Sequence, residues 1–122
     1  MRIVVAEDEF LIADMLVVSL EEAGHEVHDA PHGAAALNLV RDLVPDLVIT
    51  DFMMPLMTGL ELAEAMKADS ALQRIPIVLV SGAQGTIARA RDDLFDLVFD
   101  KPYAMDRLLA SVAELHRDRN KS

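Results

Sequence analysis

Asp51 ends a run of aliphatic and β-branched residues in LVITDFMMPLMTG (47–59), an odd place for a charge unless something uses it. Glu7, Asp8 and Glu9 follow the apolar run RIVVA, Ser81 follows PIVLV, and Lys101-Pro102 follows DLVFD. If these run ends share one edge of the fold, carboxylates, a hydroxyl and an ammonium group meet there. Clustered acids repel one another, and a hard divalent cation with oxygen ligands is the usual remedy. Magnesium fits best, because it takes one or two carboxylates and fills its remaining positions with phosphate oxygens and water, so the chemistry indicated is phosphoryl transfer.

The elements that must position these groups can be read from the apolar runs at 2–6, 26–30, 46–50, 76–80 and 96–99, each of strand length. Helical spacing lies between them, and strands alternating with helical patterns indicate βαβ units and a parallel sheet. The near-continuous apolar character of IVV, LVI and IVLV suits strands covered on both faces. In a doubly wound sheet, ligands bind outside the carboxyl ends of the strands, where the acids, Ser81 and Lys101 fall; the second strand leads only to Pro31-His32-Gly33. A helix over 9–23 is apolar round most of its surface and ends at Gly24. The last helix carries Met105, Leu108, Leu109, Val112 and Leu115 on one stripe. A short helix is expected over Thr86 to Asp93, and a polar tail over 119–122 after a single domain spanning 1–118.

Composition narrows the function. At 122 residues the chain is one domain's length, and its 52% hydrophobic, 4% aromatic content suits an aliphatic α/β interior. A net charge of -10 argues against direct binding of nucleic acid, which rests on basic surface. The absence of cysteine excludes disulfides, thiolate chemistry and Cys-type zinc sites. No apolar run approaches the roughly 18 residues of a membrane span, so a cytoplasmic protein is expected.

Together, AEDE at 6–9, DFMMPLMTG at 51–59, SGA at 81–83 and KP at 101–102 resemble the receiver domain of two-component response regulators, in order and over nearly the whole chain. The resemblance implies a flavodoxin-like, doubly wound α/β fold, with five parallel strands in the order 2-1-3-4-5 and five flanking helices. It implies that Asp51 is the phosphoacceptor, served by a histidine kinase or phosphotransfer protein. Asp8, Asp51 and the backbone carbonyl of Met53 would ligate magnesium, and Glu7 would do so directly or through water. Ser81 and Lys101 would each engage a phosphoryl oxygen, and Pro102 is a candidate cis proline. The product would be a switch with changed affinity for a downstream protein, not a turnover enzyme.

Each feature taken singly has a plainer explanation. The acids at 7–9 could favour a helix start, Asp51 could cap a turn, Ser81 could be a loop residue and Lys101 ordinary surface. Met53, Met54 and Met57 read as core and loop filling, and His25, His28 and His32 as surface residues. The apolar excess of the first helix is either core or, as the resemblance favours, a docking face for a partner's helices.

Two departures from the family pattern stand out. The position three before Lys101, commonly aromatic, is Val98, and strand alternation sends Phe99 to the opposite face. Signalling through the 81–95 segment is expected instead. Met53 and Ala83, two past Asp51 and Ser81, cannot orient water by hydrogen bonds, which predicts slow autodephosphorylation. The competing readings are a pseudo-receiver that binds partners without phosphorylation and a magnesium-dependent aspartyl-phosphate phosphatase. The second is weakened because Met53 stands where the haloacid dehalogenase group has another acid.

Overall fold

In the computed structural model, which describes residues 1–82 and 85–120, strands and helices alternate along the chain. They are β1 (Arg2–Ala6), α1 (Phe10–Glu22), β2 (Glu26–Ala30), α2 (Gly33–Leu43), β3 (Leu47–Asp51), α3 (Gly59–Lys67), β4 (Ile77–Ser81), α4 (Gly85–Arg89), β5 (Leu97–Asp100) and α5 (Met105–Asn120). All four strand pairings are parallel, and the order is β2-β1-β3-β4-β5, as the resemblance implied.

Alternation along the strands sorts the core into two layers. Val4, Val48, Ile77 and Leu79 face α2, α3 and α4, burying Leu37, Val40, Leu62, Met66 and Ala88. Ile3, Val5, Ile49, Val78 and Val80 face α1 and α5, burying Leu16, Leu20, Leu108 and Val112. Covered on both sides, β3 and β4 are buried at every position, which is why they read as unbroken apolar runs.

Helix ends follow local chemistry. Thr58 and Glu61 form a reciprocal capping box on α3. Gly24, at φ +98°, lies just past α1 in a backbone region that glycine enters without a steric penalty. His32, expected as a plain surface residue, caps α2 instead: its Nδ1 accepts from the Ala35 amide at 3.1 Å.

The structure corrects several boundaries. The last three strands begin and end one residue later than their apolar runs, so Asp51, Ser81 and Asp100 close strands. The short helix expected over 86–93 stops at Arg89. There the bonding tightens to Arg91 N–H on Ala88 O and Leu94 N–H on Arg91 O, which turns the chain inward and buries Leu94 and Phe95. Residues Arg119 and Asn120 of the expected tail are the last of α5, while 121 and 122 lie outside the described residues, as does Ala83.

Candidate functional site

The acids Glu7, Asp8 and Asp51, with Ser81 and Lys101, sit at the carboxyl end of the sheet. Parallel pairing places Ala6 beside Thr50 and Asp51 beside Val80, and β4 and β5 end together with Ser81 opposite Asp100. One residue past β1, Glu7 is held by its amide, which donates to Ala30 O at 3.1 Å. Just past β5, the Lys101 amide donates to Ser81 O at 2.7 Å, and the Lys101-Pro102 peptide is cis.

Three carboxylates, Glu7, Asp8 and Asp51, each offer an oxygen within 4.8 Å of the others. Glu7 and Asp51 are buried and Asp8 is exposed at the mouth. Lys101 reaches into the group, its Nζ donating to Asp51 Oδ2 at 2.9 Å and to Glu7 Oε1 at 3.2 Å. Asp51 Oδ1 accepts from the Phe52 amide at 2.8 Å, and Glu7 Oε2 from the Glu9 amide at 3.2 Å. Ser81 is fully buried at the end of β4.

The electrostatics are those of an acid cluster with too little positive charge. Burial pushes the Glu7 carboxyl up to about 7, and the neighbouring Asp51 charge adds to the effect. Burial alone would lower the Lys101 ammonium, but the hydrogen bond and charge of Asp51, with Glu7 behind it, carry it above its ordinary value. These hard oxygen donors around a deficit of positive charge fit magnesium, with Glu7, Asp8 and Asp51 as the side chains able to hold it.

The site is also held by residues whose importance the sequence hid. Gly59 lets α3 lie against the end of β3: a Cβ there would be 2.2 Å from the Asp51 carbonyl oxygen. Its amide donates to Phe52 O at 2.7 Å. Thr50, fully buried, donates its hydroxyl to the Asp51 carbonyl at 2.9 Å. The glycine was visible in the quoted motif, but its contact with Asp51 depends on how α3 returns across the strand.

Around the mouth, Met53 and Leu56 of the β3–α3 loop and Phe10, Leu11 and Met15 of α1 are exposed, while α1 buries only Ala13, Leu16 and Leu20. Val98 packs toward the α4 side and Phe99 toward the α1–α5 side, as alternation requires. The histidines lie elsewhere: His28 contacts Glu26 at 2.8 Å, and His25 lies edge-on to His116.

Residues 3–113 match the response regulator receiver domain. The chain belongs to that family. Similar curated proteins include the DNA-binding response regulator MtrA of Mycobacterium tuberculosis, 33% identical over 120 residues covering 96% of this chain and 51% of that protein. The transcriptional regulatory protein YrkP of Bacillus subtilis is 38% identical over 119 residues, covering 95% of this chain and 50% of its own. This receiver domain thus spans about half the length of the curated relatives it matches.

Among solved structures, the Francisella response regulator 1452 receiver domain superposes with a TM-score of 0.89 at 25% identity, covering 97% of this chain and 98% of that one. The chemotaxis response regulator CheY4 of Vibrio cholerae gives 0.85 at 25% identity, covering 93% and 97%. Receiver domains are signalling switches in two-component systems, and this one has no described helix long and apolar enough to cross a membrane.

Proposed function

We propose that this receiver domain accepts a phosphoryl group on Asp51 and that the modified site changes its affinity for a protein partner. The observation that carries the reading is the Lys101 ammonium held 2.9 Å from the Asp51 carboxylate within the acidic group. An Asp51 oxygen attacks phosphorus of a phosphohistidine, on a histidine kinase or phosphotransfer protein. The O–P bond forms as the P–N bond breaks, the imidazole leaves with a proton from solvent, and an acyl phosphate results. A carboxylate nucleophile needs no general base, so positioning and charge stabilisation supply most of the catalysis.

Lys101 would pair with one phosphoryl oxygen and the Ser81 hydroxyl would donate to another. Glu7, Asp8, Asp51 and the Met53 backbone carbonyl would hold magnesium, which when bound offsets the negative charge of the incoming group. The fixed amide of Phe52 on Asp51 Oδ1 limits the ways the carboxylate can turn. We assign the domain to the cytoplasm as a switch, not a turnover enzyme. A net charge of -10 favours a protein partner for this domain; DNA binding is named for MtrA, of which the chain matches about half.

Intact-protein mass after incubation with acetyl phosphate or phosphoramidate, with and without magnesium, tests the proposal. Wild type gains one phosphoryl group only with magnesium, and Asp51→Asn gains none. No gain from either donor would favour a module that binds partners unphosphorylated, the reading to which Val98 lends some weight.

A further inference from the structure

At the opposite end of the sheet from Asp51, three nitrogen bases meet. Met1 precedes β1 and His25 precedes β2, while α5 runs back along the sheet and brings His116 to the same end. The Met1 ammonium donates to His25 Nδ1 at 3.1 Å. The His25 and His116 rings stand edge-on at 90°, with centroids 6.3 Å apart.

Each group arrives on a fixed backbone. The His25 amide donates to Leu20 O at 3.1 Å, and Met1 O accepts from the Glu26 amide at 2.9 Å. Met1 and Leu115, the neighbour of His116, both pack against the α1–α5 core layer. Burial holds the His25 imidazole below its ordinary value, and the Met1 ammonium and His116 push it the same way. Here positively charged forms crowd one another, the reverse of the acidic edge, and His25 keeps the neutral ring whose lone pair a metal takes.

The spacing suits one ion. Two nitrogens bound to a single zinc, each about 2.0–2.1 Å from it, lie about 2.9–3.4 Å apart, and two such imidazole rings have centroids about 5–6 Å apart. The Met1 amine and His25 Nδ1 already stand at that separation, and side-chain rotation need close the rings by only about 1 Å.

We propose that the Met1 amine, His25 and His116 bind a divalent ion of the zinc, nickel or copper class, which fastens the far part of α5 to the amino end of the sheet. Nitrogen ligands favour these ions, whereas magnesium takes oxygen and belongs to the carboxylate end. On binding, the ammonium gives one proton to solvent and its lone pair goes to the ion, while the imidazoles bind neutral. Three protein ligands leave a further position to water. Because only the folded chain brings β1, β2 and α5 together, the ion stabilises the fold.

Zinc titrated into the chain with a free Met1 amine, magnesium being in excess to hold the carboxylate site, tests the proposal through the imidazole nitrogen resonances. One ion should bind and move the His25 and His116 signals together, leaving His28, which contacts Glu26, unmoved. His25→Gln and His116→Gln should each weaken zinc by at least the roughly tenfold that losing a ligand's supporting partner costs. Nα-acetylation of Met1, which leaves both rings in place, should weaken it too, and His28→Gln should leave it unchanged. Zinc affinity unaltered by His116→Gln or by acetylation overturns the site, as do shifts confined to the Glu7 and Asp8 edge. A loss in His28→Gln equal to that in His25→Gln would put the ion on the outer edge of β2 and overturn it as well.

Discussion

Lys101 Nζ bridges Asp51 Oδ2 and Glu7 Oε1, at 2.9 and 3.2 Å, so a single ammonium serves two buried carboxylates. Burial, with the Asp51 charge adding to it, raises the Glu7 carboxyl to about 7, so Glu7 is the acid of the pair that holds its proton longest as pH rises.

That yields a pH prediction. With its carboxyl raised from 4.5 to about 7, Glu7 holds a proton in the folded state that the unfolded chain releases. Without divalent cation, this contribution to stability is full below pH 4.5, declines as pH rises and is gone above about 7. Urea unfolding in a chelator should show a loss on the order of 1–3 kcal/mol between pH 5 and 8. His25, whose imidazole burial holds below its ordinary value, acts in the opposite direction over its own range. Glu7→Gln isolates the acid's part, and an unchanged slope in that variant would refute the assignment.

Magnesium should reverse this trend. A cation bound only by the folded state at a hundred times its Kd adds about 2.7 kcal/mol. Because Glu7 must ionise to contribute fully, the rise in thermal midpoint on adding magnesium should be larger at pH 8 than at pH 5.5. Asp8→Asn should lose most of it, and an equal rise in that variant would remove Asp8 from the ligand set.

Much of this was legible in the sequence because a buried parallel strand leaves a strong mark: LVI and IVLV run apolar up to the last residues of β3 and β4, so the carboxylate of Asp51 and the hydroxyl of Ser81 stand out there, while Lys101 follows the shorter run of β5. Contacts made by chain return were not legible. The Lys101 bridge joins residues 94 and 50 positions apart, and the Gly59 approach to Asp51 depends on the angle at which α3 leaves its loop. The short helix was overextended because its pattern resembled a longer one, whereas burial of Leu94 and Phe95 required an earlier turn.

Gly59 provides a test of that packing. In Gly59→Ala, the methyl would meet the Asp51 carbonyl at 2.2 Å, so α3 or the end of β3 must move. A loss of about 1–3 kcal/mol in chemical denaturation is expected, with weaker magnesium binding because the displaced strand end carries Asp51. Thr58→Ala is the control for the same helix: it removes the capping box at about 1 kcal/mol and should leave magnesium binding unchanged. Equal effects on binding would show that the position of α3, not the Gly59 contact, governs the site.

Met53 governs the last expectation. It sits two residues past Asp51, 55% exposed, with a thioether that donates no hydrogen bond and accepts only weakly. An attacking water near Asp51 therefore finds no orienting group in this side chain. Once formed, the phosphorylated domain should lose its phosphoryl group over minutes or longer, followed by intact mass after removal of the donor. Replacing Met53 with Asn supplies both a donor and an acceptor, and the lifetime should shorten. A wild-type half-life of seconds, or a Met53→Asn lifetime no shorter than that of wild type, would show that water is oriented from elsewhere in the site.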